Sequence, residues 1–445
     1  MTADADARLL SDAFVFGIPL VFNLDQVGRY VHEGVGANPA APFNSFSHAR
    51  TLAGPADTFV SVNNDTVYSL AQIDVSGGAV LLELPDTAGR YYVMQFIDAW
   101  TNNFAYVGHR ATGTAAQRYL LVPPGWSGSA PADATVITAP TTIFTIVGRW
   151  ACGGEWDLPA VHALQDATRL TRLDEGASLR GLPEVGADIP PALLFLEKLR
   201  LWSQALPPAA SDRPQLESFA PLGVTAAGES PYASFSPARA SEWGAALDAS
   251  RAALLEDLRR GGAPIVNGWL LTYHAFDYNV DFFEIGAIDS PLYTSVAPER
   301  KYRLRAESAL AGLWGNHAYE AAYAPVYVDG DGEQLRGEHT YALTFAPTPP
   351  ANAFWSLTMY SMPDYFLVDN AIDRYSIGSS TEGLQYGEDG SLRIVISATE
   401  PADPAARANW LPAPDGPFRP LLRMYEPDPA VVDGTYVIPA ITRLD

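Results

Sequence analysis

The chain has 445 residues, of which 48% are hydrophobic and 18% are charged, a composition typical of a folded protein rather than a disordered one. Its formal net charge of −23 argues against nucleic acid and anionic membrane as partners, because both require a basic face on the protein. The single cysteine, Cys152, excludes an intrachain disulfide framework and a cysteine-based metal cluster. A chain of this length predicts two or three domains.

Residues 1–57 are predicted to form a helical lead followed by a loop. The helical pattern is interrupted at Gly17-Ile18-Pro19, which predicts a kinked helix or a packed helix pair. The residues before its apolar run are acidic, and a signal peptide would need a basic region and a small-residue cleavage site there. No apolar run approaches the ~20 residues of a membrane span. The sequence therefore predicts a cytoplasmic protein without a membrane partner.

Residues 58–150 are predicted to form an N-terminal β domain. Short stretches rich in Val, Ile, Phe and Tyr alternate there with Gly, Pro, Asn and Asp, and this spacing is typical of an antiparallel sandwich or barrel. The predicted strands are "TFVSVN", "VYSLAQID", "AVLLELP", "RYYVMQFID", "FAYVGHR", "RYLLVPP", "ATVITA" and "TTIFTIVGRW".

Residues 151–320 are predicted to form a helical middle segment. In its longest helix, Ser236 is the expected N-cap, Pro237 takes the first helical position and Gly261 ends the helix. Two shorter helices are expected in "PPALLFLEKLRLWSQALPP" and "PERKYRLRAESALAGLWGN".

The strand pattern returns in residues 321–445, the predicted C-terminal β domain. The expected strands include "AFWSLTMYS", "SLRIVIS", "FRPLLRMYEP" and "TYVIPAITRL", and "DGDG" at 329–332 is the expected turn of a hairpin. The predicted fold class is therefore α+β and β-rich, with two antiparallel β-sandwich or barrel-like domains joined by a helical middle segment.

Two clusters of polar residues interrupt the N-terminal β domain. "NNDT" at 63–66 lies between two predicted strands, and "DAWTNN" at 98–103 follows the strand "RYYVMQFID". Alternation places Asp98 on the same face as Tyr92, Met94 and Phe96, and a carboxyl buried on that face would have a raised pKa suited to proton transfer. If the two clusters meet at one mouth of the domain, they form a small-molecule site. Turn chemistry is the competing explanation for each cluster.

The C-terminal β domain adds candidate ligand contacts of its own. Arg374 and Tyr375 offer hydrogen-bond donors to an anionic group or a sugar hydroxyl. Trp410 lies in a proline-framed loop, where it either packs or stacks on a ligand. His274 and Tyr278 would share a face if their segment were helical, but buried aromatic packing is the favoured explanation for them.

Familiar catalytic motifs are absent from the sequence. It contains no G-x-S-x-G elbow, no P-loop, no complete G-x-G-x-x-G and no H-x-H or H-E-x-x-H pair. No organic cofactor is therefore predicted, and the sequence gives no positive sign of a metal site.

Several longer motifs resemble a known two-domain family. "NNDTVYSLAQIDVSGG" and "RYYVMQFIDAWTNNFAYVGHRATG" resemble domain of unknown function 1254, and "FWSLTMYSMPDYFLVDNAIDRYSIGSS", "DGSLRIVIS", "ANWLPAPDGPF" and "LLRMYEP" resemble its usual C-terminal companion, domain of unknown function 1214. The resemblance covers most of the chain and implies two β-rich domains joined by helices. It implies no particular reaction. Many members of the family are exported, whereas this sequence shows no signal peptide.

Three functional hypotheses follow. The first is an enzyme of hydrolase, lyase or isomerase type, without an organic cofactor, acting on a small polar hydroxylated or carbonyl-bearing substrate between the two β domains. Its acid and base would be Asp65 and Asp98. The residues expected to contact the substrate are Asn64, Tyr68, Tyr92, Thr101, Asn102, Arg374, Tyr375 and Trp410.

The second hypothesis is a non-catalytic binding protein for a carbohydrate or another small molecule, since ten Trp and 21 Tyr supply stacking faces. The third is an enzyme that uses a divalent metal held by Asp65, Asp98 and a distant histidine such as His274. A homo-oligomer is compatible with all three hypotheses.

Overall fold

The computed structural model describes residues 3–57, 61–260, 262–279, 291–293 and 300–445. Its helices are α1 Ala3–His32, α2 Leu158–Ala167, α3 Leu194–Ala205, α4 Arg213–Ser218, α5 Pro237–Arg260, α6 Lys301–Gly312, α7 Pro404–Ala408 and α8 Pro429–Val432. Short 3-10 turns lie at Glu155–Asp157, Pro191–Leu193, Ala210–Asp212, Ala220–Leu222 and Pro291–Tyr293.

The strands fall into two groups, separated in the chain by most of the helices. The first group is β1 Gly34–Val35, β2 Asn38–Pro39, β3 Ser45–His48, β4 Thr66–Asp74, β5 Val80–Leu84, β6 Tyr92–Asp98, β7 Asn103–Gly108, β8 Gln117–Val122, β9 Thr135–Thr138, β10 Ile143–Ala151 and β11 Arg169–Arg172. The second group is β12 Ile265–Val266, β13 Trp269–Leu270, β14 Ala321–Pro325, β15 Tyr341–Phe345, β16 Ala351–Ser361, β17 Ser376–Gly378, β18 Leu392–Ser397, β19 Trp410–Pro412, β20 Phe418–Pro427 and β21 Thr442–Arg443.

The N-terminal β domain is a sandwich of two sheets. A five-stranded sheet of order β3-β4-β10-β6-β7 packs on a four-stranded sheet of order β11-β5-β8-β9. The strands pair antiparallel except for β8 and β9. Alternate residues of β4, β6 and β10, such as Val67, Phe96 and Ile146, fill the core between the sheets. The sandwich extends beyond the predicted residues 58–150, since β3 precedes them and β11 follows them.

The C-terminal β domain is a second sandwich. One sheet has the order β14-β20-β16-β17, and the other has the order β19-β18-β15-β21, with only β18 and β19 pairing parallel. The core between them includes Leu343, Leu357 and Leu422. The α+β, β-rich fold class predicted from the sequence is confirmed, and both domains are sandwiches rather than closed barrels in the part of the chain that the structure describes.

A helical body lies beside the sandwiches. Helices α1, α3, α5 and α6 share one apolar core. Helix α1 is continuous through Pro19, so the predicted helix pair is wrong. A Cβ added at Gly17 would lie 2.7 Å from a methyl carbon of Leu199, so the glycine allows α1 and α3 to approach closely. By length and composition α1 is apolar enough to cross a membrane, but 61% of its most apolar window is buried within the fold.

The structure confirms some of the predicted caps and turns and differs from the sequence at some of the predicted strands. The Ser236 hydroxyl accepts a hydrogen bond from the Arg239 N–H at 3.3 Å, which confirms the predicted N-cap, while Gly261 lies outside the described residues. The 329–332 turn is confirmed, because the Asp329 N–H donates to the Glu333 carbonyl at 2.9 Å. The strand predicted in "TYVIPAITRL" is wrong except for β21. The strand predicted in "TFVSVN" lies partly outside the described residues, and 61–65 is not a strand.

Candidate functional site

A cavity of about 1270 Å³ lies between the two β domains. One wall comes from β4 and β10 of the N-terminal sandwich, and the opposite wall comes from β14 and β20 of the C-terminal sandwich. Further lining comes from helix α6, residues 262–276, the end of α1, the loops within 35–63, the end of α5 and residues 432–434. Cavities between domains are common ligand sites, because two surfaces can enclose a small molecule from both sides.

Strand alternation on β20 decides which side chains reach this cavity. Phe418, Leu422 and Met424 point into the sandwich core, and the residues between them point the other way. The residues that line the cavity from β20 are Arg419, Leu421, Arg423 and Tyr425. Strand β10 contributes Val147 and Arg149 by the same alternation.

Three arginines on the cavity wall are almost completely buried. Arg149, Arg419 and Arg423 are 6%, 7% and 4% exposed. None of the three forms an ion pair with a carboxylate among the residues that the structure describes. Burying a cation without a counter-ion is costly, so such groups usually have a charged partner. The Asp65 carboxylate interacts electrostatically with Arg423 but forms no ion pair with it, and the cavity offers the three guanidinium groups a place for a bound anion.

Neutral oxygens hold Arg149 in place. Its guanidinium donates to Gln95 Oε1 at 2.6 Å, to the Trp314 carbonyl at 2.8 Å and to Asn316 Oδ1 at 3.2 Å. The ring of Tyr68 lies 5.4 Å from the guanidinium carbon, within the range of a cation–π contact. These contacts orient the guanidinium and leave its charge uncompensated.

Arg419 and Arg423 converge on Ser61 from the opposite wall. Arg423 donates to the Ser61 carbonyl at 2.8 Å and to the Tyr360 hydroxyl at 2.8 Å, and Arg419 donates to Ser61 Oγ at 2.5 Å. The Nε atom of Arg419 is buried and has no hydrogen-bond partner among the residues that the structure describes. The rings within 6.0 Å of the Arg419 guanidinium carbon are those of Tyr327, Tyr360 and Tyr365.

The "NNDT" cluster is a turn that contacts the cavity. Asn63 Oδ1 accepts hydrogen bonds from the N–H groups of Asp65 and Thr66. This is the Asx turn that turn chemistry, the alternative to a ligand site, predicted for the cluster. Asn63 also donates to the Tyr425 hydroxyl at 2.8 Å, and that hydroxyl donates to Asp65 at 2.8 Å. Asp65 accepts a second hydrogen bond from Ser356 Oγ. The turn therefore joins the two β domains beside the cavity, while Asn64 bonds to the Ala53 carbonyl.

The "DAWTNN" cluster is a separate, buried loop. Asp98 is 2% exposed and accepts hydrogen bonds from the N–H groups of Trp100 and Asn102 and from the Asn102 side chain. Burial raises the pKa of Asp98 to about 6, although the hydrogen bonds from Asn102 oppose the rise. The Tyr278 hydroxyl donates to the Thr101 carbonyl at 2.8 Å. These contacts give polar groups of the loop hydrogen-bond partners within the protein. Neither Asp98 nor Asn102 lines the cavity.

The two predicted catalytic carboxylates lie at opposite ends of one sheet. Strand β10 pairs antiparallel with both β4 and β6, so β4 and β6 run in the same direction. Asp65 precedes β4, whereas Asp98 ends β6. The β10 partners of Thr66 and Asp98 are Ala151 and Phe144, which are seven residue steps apart, or about 23 Å along the strand. The structure therefore does not bring the predicted Asp65–Asp98 acid–base pair together.

Four other predicted contacts lie away from the cavity. Tyr92 is in the N-terminal sandwich core, stacked on Trp150 with ring centroids 5.2 Å apart. Arg374 donates to the carbonyl groups of Ala408 and Trp410, and the Trp410 indole donates to the Ser397 carbonyl. Tyr375 donates to Asp373. Of the predicted contacts, Tyr68 is the residue that lines the cavity.

His274 lines the cavity but does not join Asp65 and Asp98. Its Nδ1 lies 2.6 Å from Oδ2 of the buried Asp277, and this hydrogen bond raises the pKa of His274. The structure does not bring together the three residues of the predicted metal site, Asp65, Asp98 and His274, because the two aspartates are at opposite sheet ends. The described residues contain no cluster of three or more His, Cys, Asp or Glu side chains suited to a metal ion.

A pair of buried glutamates lies on the seam between the domains. The Tyr91 hydroxyl donates to Glu320 at 2.6 Å, and His109 Nδ1 lies 2.7 Å from Glu426. Burial raises the pKa of Glu320 to about 8, and the charge of Glu426 adds to the rise. Glu320 is therefore neutral at pH 7, which allows two carboxyl groups to be buried near one another.

Sequence reasoning missed Arg149, Arg419, Arg423 and the two seam glutamates. A signal was present in "FRPLLRMYEP", where two arginines four residues apart share a face of a strand that otherwise reads as buried. Arg149 lies likewise in "TIVGRW", beside a core tryptophan. A charged residue at an alternate position of a buried strand indicates a polar contact on that strand's other face.

Comparison with protein families identifies both domains. Residues 43–172 match the model described as "Protein of unknown function (DUF1254)", and residues 320–429 match "Protein of unknown function (DUF1214)". The chain belongs to the family that pairs these two domains. In this DUF1254–DUF1214 protein the first match covers the N-terminal sandwich, and the second covers the β14–β20 part of the C-terminal sandwich.

A solved structure shares the fold of the DUF1254–DUF1214 chain. The VPA0106 protein from Vibrio parahaemolyticus is 21% identical, and the alignment covers 99% of this chain and 100% of that chain with a TM-score of 0.75. An uncharacterised protein from Burkholderia cenocepacia is 12% identical over 100% of this chain and 96% of that chain, and its TM-score of 0.46 is too low to support the fold. No curated protein matches the chain.

Proposed function

We propose that this protein binds a small organic molecule with an anionic group in the cavity between its two β domains. The observation that carries the proposal is the set of three buried arginines on the cavity wall, Arg149, Arg419 and Arg423, which have no carboxylate partner among the described residues. Among the described residues these arginines bond to neutral oxygens and to none of the carboxylates. A guanidinium is well suited to carboxylate and phosphate groups, because it offers paired N–H donors in a plane.

The arginines favour an anionic ligand over a neutral carbohydrate. A neutral sugar would leave the three guanidinium groups without an ion pair among the described residues, whereas a carboxylate or phosphate would offset the cost of burying them. The neighbouring tyrosines, including Tyr68, Tyr323 and Tyr327, supply ring faces and hydroxyl groups to the same wall. They would contact the part of the ligand next to its charged group.

The proposal predicts that ligand binding depends on negative charge. Isothermal titration calorimetry with small carboxylates and phosphate esters, and with alcohols and amines of matched size, should give binding to anions alone. Arg423→Met should weaken binding about tenfold to hundredfold, the usual range for a lost charge-assisted hydrogen bond. Two of the Arg423 contacts are the rotatable hydroxyl groups of Thr358 and Tyr360, so we expect this variant to fold.

The matched control is Arg393→Met, at an exposed position of β18 in the same domain. It should leave affinity unchanged. Binding of neutral compounds as tightly as anions, or equal affinity in wild type and Arg423→Met, would contradict the proposal.

A second candidate function is acid–base catalysis by one carboxylate on the same ligand, of hydrolase or lyase type. It is favoured by the contact between Asp65 and Tyr425, because the Tyr425 hydroxyl accepts a hydrogen bond from Asn63 and donates one to Asp65 beside the cavity. Such a series of hydrogen bonds can carry a proton between a bound molecule and a carboxylate.

This candidate predicts different effects for the two aspartates. Asp65→Asn should abolish turnover of any compound that the protein converts, and Asp98→Asn should keep turnover because Asp98 serves only its own loop. Product formation would be followed by chromatography, with thermal unfolding of both variants as the folding control. Full activity in Asp65→Asn would rule out this carboxylate.

A further inference from the structure

The cavity wall changes from polar to apolar along the direction of β4 and β10. Tyr68 lies opposite Arg149 in the register of the two strands, and Leu70 lies opposite Val147 in the next row on the same face. All four residues line the cavity. Successive rows on one face of a sheet are about 7 Å apart, so the charged row is followed directly by an apolar one.

The apolar row continues into a larger apolar surface. Leu70 and Val147 belong to a buried cluster that also contains Ile97 and Trp314, with Leu313 packed against it. Trp314 and Leu313 line the cavity, and further apolar lining comes from Leu271, Phe276, Leu304 and Ala311. The cavity thus has a cationic end at the arginines and an apolar end at Leu70, Val147 and Trp314, and α6 adds Glu307 and Ser308 to the lining as well as apolar residues.

We propose, building on the anion-binding function above, that the ligand is an amphipathic organic acid. Its carboxylate lies at the arginine end, and its hydrocarbon body extends along Leu70 and Val147 toward Trp314. The volume of about 1270 Å³ exceeds that of most drug-sized pockets, about 300–1,000 Å³, so it has room for a body of medium length. A small hydrophilic anion would leave the apolar end without contacts, and a neutral hydrocarbon would leave the arginines without a counter-ion.

The test is a chain-length series. Butanoate, hexanoate, octanoate and decanoate would be titrated into the full chain by calorimetry, each below its aggregation concentration, beside the 1-alkanols of equal length. Each added methylene should tighten acid binding about threefold to fourfold until the apolar end is filled. The alcohols should bind more weakly than the acids at every length.

A pair of variants separates the two ends of the cavity. Leu313→Gln should flatten the dependence on chain length and keep the affinity for butanoate, because it adds a polar group to the apolar end alone. The control Leu173→Gln, at a leucine that is 53% exposed and outside the cavity, should keep the wild-type series.

The outcomes distinguish this inference from the function on which it rests. If all four acids bind equally and Arg423→Met weakens each of them, the anion site stands and the amphipathic ligand is wrong. If no acid binds at any length, and Arg423→Met changes nothing, the anion-binding function itself is wrong. If alcohols bind as tightly as acids and affinity rises with length, the ligand is apolar and uncharged, which also overturns the inference.

Discussion

Arg419→Met is expected to weaken binding of an anionic ligand about tenfold to hundredfold while leaving the folded protein as stable as before or slightly more stable. The ligand loses a charge-assisted contact. The apo protein loses a buried cation whose Nε has no partner within the described parts of the chain. Its hydrogen bond to Ser61 Oγ can be replaced by rotation of that hydroxyl. Removing a buried unpaired charge in favour of an apolar side chain is often neutral or stabilising by about 1 kcal/mol or more.

The measurement combines calorimetric titration with urea unfolding of the ligand-free protein. Arg393→Met is again the control, since Arg393 is exposed. The diagnostic result is a loss of affinity for the anionic ligand without a loss of folding stability. A variant that loses stability together with affinity would assign Arg419 a structural role, and one that keeps its affinity would remove Arg419 from the site.

Glu320→Gln is expected to remove a large part of the pH dependence of stability. The pKa of Glu320 is about 8 in the folded protein, against an ordinary value of 4.5, so folding takes up a proton between these values. Because the native state binds more protons than the unfolded state there, the free energy of unfolding falls as pH rises through this window and levels off above it. The expected fall is about 2–4 kcal/mol for a shift of this size between pH 5 and 8.

Glutamine imitates the neutral acid and can still accept the hydrogen bond from the Tyr91 hydroxyl. The variant should therefore match wild type near pH 5 and exceed its stability near pH 8, as measured by urea unfolding across that range. The exposed Glu388→Gln serves as the control and should follow the wild-type curve. Parallel curves for wild type and Glu320→Gln would show that Glu320 ionises normally in the folded protein.

Local sequence patterns predicted most of the strands and helices, because alternation and caps are properties of a few neighbouring residues. The strands "VYSLAQID" and "RYYVMQFID" correspond to β4 and β6, and Ser236 caps α5. The family was also recognisable from its longer motifs. These features require no knowledge of which strand lies beside which.

The position of the site depends on the order of the strands in the sheet, and local sequence patterns carry no information about that order. Strand β10 enters between β4 and β6 and makes them parallel, so the polar clusters at 63–66 and 98–103 lie at opposite ends. The face of β6 that borders the site was also not predictable from the sequence, for a related reason. Both faces of β6 are buried, one against the sandwich core and the other against the C-terminal domain, so alternation could not tell which face carried the site.

The cavity is divided between two domains that are far apart in the chain, and this division has a consequence for how the protein assembles. Arg149 lies on one sandwich and Arg423 on the other, and the turn at Asn63 and Asp65 bridges them through Tyr425. Neither sandwich alone encloses a ligand. A molecule bound to both walls acts as a non-covalent crosslink, so occupancy and domain association reinforce each other, and each domain in isolation would present half of a charged surface to water.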